Sequence, residues 1–301
     1  MENDHVPVQG EHSPQALERE EELQQQALAQ RMGRVGYKLL VMSGKGGVGK
    51  STVAANLAAS LALAGKAAGL LDVDIHGPSI PRLMGLEGQR ITVRGSEIIP
   101  LEAGENLKIM SIGFLLPSAA DAVIWRGPMK YGVIRQFLSD VAWGALDYLV
   151  IDAPPGTGDE PLSVAQLVGP PAGAVLVTTP QQLSVADVRR SVSFCRKVGL
   201  SVLGIIENMS GLLCPHCGGL IEVFKTGGGK SLAEEMGVPL LGRIPLEPKI
   251  VECGDDGVAF TTRFAESAAA GAFAEIVARI REAAAAAPGP EPPPAQRSFV
   301  V

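Results

Sequence analysis

The segment Ser43-Gly44-Lys45-Gly46-Gly47-Val48-Gly49-Lys50-Ser51-Thr52 constrains this chain more than any other. An apolar run, Tyr37 to Met42, precedes it and reads as a buried strand. An Ala/Leu-rich run, Val53 to Leu63, follows and reads as a helix. Gly44, Gly49, Lys50 and Ser51 fit the spacing G-x-x-x-x-G-K-[ST] in its strand–loop–helix setting. Glycines let a backbone curl so that several N–H groups face one anion. The helix behind the loop adds its positive N-terminal end. Gly44, Lys45, Gly46, Gly47, Val48, Gly49, Lys50, Ser51 and Thr52 are therefore the candidate phosphate-binding residues. Lys50 reaches phosphate oxygens, and the Ser51 hydroxyl is a candidate Mg²⁺ ligand.

Beyond Lys38 the pattern alternates strand and helix. That predicts an α/β fold, a mostly parallel sheet with helices on both faces. Strands are expected at Ala67–Leu71, Leu107–Ile112, Tyr148–Ile151, Ala174–Thr178, Val202–Ile206 and Leu240–Ile244. Helices are expected at Met129–Trp143, Leu162–Val168, Val185–Val198, Lys230–Met236 and Thr262–Ala286. Two short β-type runs around Gly95-Ser96 predict an inserted hairpin. Residues 1–36 read as a loosely attached arm able to form a helix over Pro14–Met32. Residues 37–287 read as the nucleotide-binding domain, and the Pro-rich 288–301 as a disordered tail.

Bulk properties exclude several function classes. The net charge of −6 argues against non-specific nucleic-acid binding. No run of roughly 18 apolar residues predicts a membrane span. The acidic start, Met1-Glu2-Asn3-Asp4, is unlike a signal peptide. Four cysteines in 301 residues are no disulfide framework and fit a reducing, cytoplasmic setting.

A nucleoside triphosphatase also needs a carboxylate at a neighbouring strand end to hold Mg²⁺. Asp152, after Tyr148-Leu149-Val150-Ile151, suits that role; the alternative is a strand-end cap. The following Ala153-Pro154-Pro155-Gly156-Thr157-Gly158-Asp159 combines rigid prolines with hinge glycines, as a phosphate-sensing loop requires. Asp72 and Asp74 end the second strand on the same sheet edge. Asp74 is the candidate that orients or deprotonates the attacking water, with Asp72 nearer the metal or supporting it; either could instead cap the next helix. His76 reads as a polar loop residue. Thr226-Gly227-Gly228-Gly229-Lys230-Ser231 ends like a second phosphate loop, but Phe224 stands where its first glycine belongs, so it reads as a helix start.

Cys214-Pro215-His216-Cys217 places two thiolates within reach of one metal or cluster. Three readings stand: a redox pair, half of a four-cysteine site completed across a twofold axis, or a zinc site completed within one chain by His216 and another residue.

Together these motifs resemble the Mrp/ApbC-type (Nbp-like) iron–sulfur cluster carrier ATPases, in the MinD/ParA group of P-loop proteins with a deviant loop. The resemblance spans Met42 to about Phe260. It rests on the loop at 43–52, Asp72-Val73-Asp74-Ile75-His76-Gly77-Pro78-Ser79, Trp125-Arg126-Gly127-Pro128-Met129-Lys130, the 151–159 segment, Glu207-Asn208-Met209-Ser210 and the Cys214/Cys217 pair. It implies a SIMIBI/MinD-like fold and a homodimer that binds ATP and Mg²⁺. It further implies a [4Fe–4S] cluster held between the Cys214/Cys217 pairs of two subunits and passed to apo iron–sulfur proteins, with slow hydrolysis regulating transfer. By the same resemblance Lys45 is the signature lysine that reaches the partner subunit's nucleotide. Asn208 takes the adenine-reading position, and Pro245 lies where the base pocket closes. No cysteine precedes Cys195, so the cysteine-rich N-terminal segment of some relatives is unmatched. Two competing readings are a MinD/ParA-like ATP-gated switch and a zinc-stapled ATPase scaffold.

Overall fold

In the computed structural model, residues 14–115, 127–214, 216–217 and 219–286 are described. The elements run α1 (Pro14–Met32), β1 (Val35–Ser43), α2 (Lys50–Leu63), β2 (Ala68–Asp72), α3 (Ile80–Leu83), β3 (Thr92–Arg94) and β4 (Glu97–Ile99). They continue with β5 (Leu101–Glu102), β6 (Leu107–Ser111), α4 (Gly127–Ser139), β7 (Leu146–Asp152), α5 (Asp159–Leu167), β8 (Ala172–Thr178) and α6 (Gln182–Lys197). Last come β9 (Ser201–Glu207), β10 (Leu212–Leu213), β11 (Leu220–Ile221), α7 (Gly228–Met236), β12 (Leu240–Arg243), α8 (Pro248–Asp255), α9 (Phe260–Arg263) and α10 (Ala268–Ala286).

The sheet has the order β12-β9-β8-β1-β7-β2-β6-β5. Every pairing is parallel except that of the edge strand β5 with β6. Leu39, Leu40, Val41 and Met42 of β1 are fully buried, as are Leu149, Val150 and Ile151 of β7. Such continuous apolar runs belong to strands covered on both faces. The expected α/β architecture and the 92–99 hairpin are both present. Register places the strand ends together: Asp72 pairs with Asp152, and Val41 with Asp152 on the other side.

The last long helix departs from the expectation. Residues 262–286 form not one helix but α9 and α10, separated at Phe264–Ser267. The Ser267 hydroxyl accepts from Ala270 N–H (3.2 Å) and starts α10, while Phe264 folds back onto Phe260 and Lys249. The helix expected to reach Trp143 stops at Ser139, because Val141 instead bridges Ile98 of the hairpin. Helix α8 was not anticipated. Pro248 sits at its first turn, and the Glu247 carboxylate caps Lys249 N–H.

The end of α1 packs on the body. Leu28 and Met32 are buried, and Arg31 donates to Ser139 O and Glu97 Oε1. Beneath it Lys38 is buried in β1, its Nζ donating to Pro170 O (3.0 Å) and Met32 O (3.4 Å). Burial pushes this amine down to about 8. Residues 288–301, expected to be a disordered tail, lie outside the described residues.

Candidate functional site

The loop between β1 and α2 turns through left-handed glycines, Gly47 (φ 79°) and Gly49 (φ 81°). Its glycines differ in what they face. A Cβ on Gly44 would strike the Asp187 backbone at 2.4 Å, so α6 packs directly on the loop. A Cβ on Gly46 or Gly47 would meet open space. The missing side chains there leave room for a ligand rather than for protein. A cavity of about 240 Å³ opens over this surface, bordered by Lys45, Lys50, Ser51, Asp74 and Pro155.

Lys50 is buried, and its Nζ donates to Asp152 Oδ1 at 2.6 Å. Asp74 Oδ2 is 3.6 Å from the same ammonium, and the Ser51 hydroxyl accepts from it at 3.3 Å. Asp152 Oδ2 is buried without a hydrogen-bond partner. Burial raises the Asp152 carboxyl against the pull of Lys50.

Asp72 faces elsewhere. Its carboxylate accepts from Ser111 Oγ (2.8 Å), Asp74 N–H (3.0 Å) and Ile80 N–H (3.4 Å). Burial, then the charge of Asp152, pushes it up to about 8. It therefore shapes the turn that carries Asp74, while Asp74 itself borders the cavity. Lys130 Nζ donates to Glu160 Oε1 (2.6 Å) and lies 3.0 Å from His76 Nε2, which ties together the segments after β2 and β7. Of the motif at 125–130, Trp125 and Arg126 lie outside the described residues.

A second cleft of about 250 Å³ adjoins the first and shares Gly49, Thr52 and Ser79 with it. Its walls include Asn208, Met209, Pro245, Ile250 and Phe273, and they are mostly apolar. A phosphate cradle that continues into an apolar slot has the form of a nucleotide site. Asn208 Nδ2 donates to Val48 O at 2.9 Å, so half of its amide is committed to the loop and Oδ1 is the acceptor atom that this bond leaves over.

The cysteines sit on the β10–β11 hairpin. Cys214 N–H donates to Gly219 O (2.9 Å), Cys214 is half-buried and Cys217 exposed, and both thiols are free. Hydrogen bonds from the His216 and Cys217 backbone lower the Cys214 thiol from its ordinary value. Cys195 and Cys253 are buried in other elements, and burial pushes Cys195 up to about 12. Among the described residues, no group of three His, Cys, Asp or Glu side chains is arranged to hold a metal.

Residues 34–281 match a family model described as ParA: NUBPL iron-transfer P-loop NTPase. The chain belongs to this family. An iron-sulfur cluster carrier protein of Methanocaldococcus jannaschii is 48% identical over 255 residues, 85% of this chain and 87% of that one. The cytosolic Fe-S cluster assembly factor NUBP2 of Homo sapiens is 50% identical over 253 residues, 83% of this chain and 93% of its own. A solved nucleotide-binding protein from Archaeoglobus fulgidus, in complex with ADP, superposes with a TM-score of 0.70 at 42% identity, covering 78% of this chain and 92% of that one. The cell division ATPase MinD of Pyrococcus furiosus, 24% identical over 82% of this chain and 99% of its own, shares the fold at a TM-score of 0.63.

Within this family fold the structure brings together Lys45, Lys50, Ser51 and Asp74 at one cavity, with Asp152 buried behind Lys50, and Asn208 with Pro245 at the next. Three positions carry roles that sequence reasoning did not assign. Ser111 holds Asp72 from the neighbouring strand β6, Lys130 links His76 to Glu160, and Glu207 is buried beneath the cysteine loop. Glu207 and Lys130 stood inside recognised motifs, but nothing in their spacing showed what they would touch.

Proposed function

We infer that the chain is an ATP-binding and hydrolysing carrier that assembles or transfers a [4Fe–4S] cluster to apo iron–sulfur proteins, in the cytoplasm and as a homodimer. One observation carries this reading. The stem of the Cys214/Cys217 hairpin is laced to the wall of the base cleft: Ser210 N–H donates to Ile244 O (2.9 Å) and Leu246 N–H to Gly211 O (2.7 Å). Nucleotide site and thiol pair are thus one mechanical unit. Two thiols per chain supply half of the ligands a [4Fe–4S] cargo needs, so a twofold-related second chain supplies the rest.

Mg²⁺ fits a donor set made of Ser51 at the phosphate cavity and Asp152 buried behind Lys50. Asp152 Oδ2, buried and unpartnered, and the Ser51 hydroxyl would hold it. When bound, the ion neutralises phosphate charge. Lys50 binds the phosphates, and Asp74, near the cavity and supported by Asp72, orients the attacking water. Lys45, half-buried beside the cavity, engages the nucleotide from across the dimer. Slow hydrolysis then regulates transfer. A MinD/ParA-like switch leaves the two free thiols, Cys214 and Cys217, without a role.

The test is cluster delivery. Protein loaded anaerobically is mixed with an apo-[4Fe–4S] enzyme under a chelator of free iron, with and without Mg-ATP. Recovery of the acceptor's activity is expected, at a rate that depends on nucleotide. Recovery no faster than from free iron and sulfide would rule the carrier reading out.

A further inference from the structure

Glu207 ends β9 and is fully buried, and it lines neither the phosphate cavity nor the adjoining cleft. Its Oε1 accepts from Ser210 Oγ at 2.5 Å and from Gly227 N–H at 3.2 Å. Its Oε2 accepts from Gly229 N–H at 2.5 Å, and Arg243 Nε approaches Oε1 at 3.5 Å. Ser210 and Gly227 are the two ends of the segment that carries Cys214 and Cys217. One carboxylate therefore closes that loop at its base.

The sequence around the second end is built for this contact. Gly227 caps α7 in the left-handed region (φ 84°). A Cβ on Gly228 would lie 2.3 Å from Pro180 O, and one on Gly229 would lie 3.0 Å from Glu207 Cβ and Oε2. Three consecutive glycines are what let the start of α7 close over the carboxylate. The stretch Thr226 to Ser231, so like a phosphate loop, is an anion cradle whose anion is the protein's own Glu207. From Glu207 the chain passes directly to Asn208, whose side chain holds the phosphate loop at Val48 O.

We propose that Glu207 is a positioning residue that clamps both ends of the 210–227 cysteine loop and fixes the two thiols relative to the nucleotide cleft. The claim that this position serves an iron–sulfur cargo rests on the carrier reading above; the clamp itself does not.

The test separates the two. Hydrogen–deuterium exchange is followed in the metal-free full chain for wild type, Glu207→Ala and Ser210→Ala. Losing the buried acceptor should speed exchange across 210–227 by ~10-fold, the size of one lost charge-assisted hydrogen bond or more. Exchange in β1, β7 and β8 should stay as in wild type. Ser210→Ala removes one leg only and should give a smaller increase confined to the same segment; it decides the matter if Glu207→Ala does not fold. Unchanged exchange at 210–227, or an increase spread evenly over the central sheet, overturns the clamp. After anaerobic loading, extraction of iron by a chelator, read from visible absorption, should be fastest in Glu207→Ala. Glu207→Gln keeps one acceptor oxygen and should fall between it and wild type. A loosened loop in a protein whose wild type takes no iron would sink the cargo reading and leave the clamp standing. Iron uptake with an unaltered loop would sink the clamp alone.

Discussion

The Lys50 ammonium is held 2.6 Å from Asp152 Oδ1, across 102 residues of chain, with Asp74 Oδ2 3.6 Å away. A buried cation shared between two carboxylates is poised to exchange them for phosphate oxygens. Lys50→Ala removes that exchange. ATP affinity should fall about 10- to 100-fold, the range of a lost charge-assisted contact. Titration with ATP checks this, and an unchanged affinity would refute the cradle assignment.

Lys45 lies on the same loop but has no hydrogen-bond or ion-pair partner for its side chain among the described residues. A lysine that acts across a dimer should matter for turnover more than for binding. Lys45→Ala is expected to lower the hydrolysis rate at least ~10-fold, as loss of an electrostatic contact to transferring phosphate does, while ATP affinity changes far less than in Lys50→Ala. Equal loss in both quantities would show a simple cradle residue.

Two glycines of the loop should separate stability from binding. A Cβ at Gly49 meets Asn208 Nδ2 at 2.4 Å in a left-handed backbone. Gly49→Ala should cost ~1–3 kcal/mol in denaturant unfolding and weaken ATP binding as Asn208 is displaced. Gly46→Ala faces open space, so its folding stability should stay within ~0.5 kcal/mol while ATP affinity falls. If both substitutions destabilised the fold alike, the open surface at Gly46 would not be a ligand surface.

Lys38 gives a pH signature. Its amine is lowered from 10.5 to about 8 in the folded chain. Between those values the unfolded chain holds a proton that the folded chain has lost, so stability contributed by this group rises with pH across the window. It is absent below the window, where both states are protonated. Relative to Lys38→Met, wild type should therefore gain stability from about pH 8 to pH 10, as measured by chemical denaturation. Parallel curves for the two proteins would contradict the burial argument.

Much of this could be seen in the sequence, for a physical reason. Strands β1, β7 and β8 are covered on both faces, so each carries a continuous apolar run, residues 39–42 in β1, 149–151 in β7 and 174–177 in β8. The phosphate loop needs glycines at fixed spacing. Contacts made across the sheet leave no such trace. Ser111 meets Asp72 39 residues away, and only the alignment of β6 beside β2 brings them together. The break between α9 and α10 was hidden because Ser267 stands in an Ala-rich run whose composition favours helix throughout. Gly227-Gly228-Gly229 was seen, but its partner Glu207 lies 20 and 22 residues back from the two donors.

The thiol pair carries the functional claim, since Cys195 and Cys253 are buried away from it. Cys214→Ala and Cys217→Ala should each abolish cluster binding and leave ATP affinity unchanged, because neither thiol borders the nucleotide clefts. A full cluster in either variant would mean that the two chains do not share it through these residues.

The most direct measurement is anaerobic reconstitution of the wild-type chain, followed by metal and sulfide analysis, visible absorption and determination of mass in solution. A brown, oxygen-labile dimer with about four iron atoms, the content of one cluster on four cysteine ligands, is the expected result. A dimer or monomer that binds zinc tightly and takes up no iron would contradict the account.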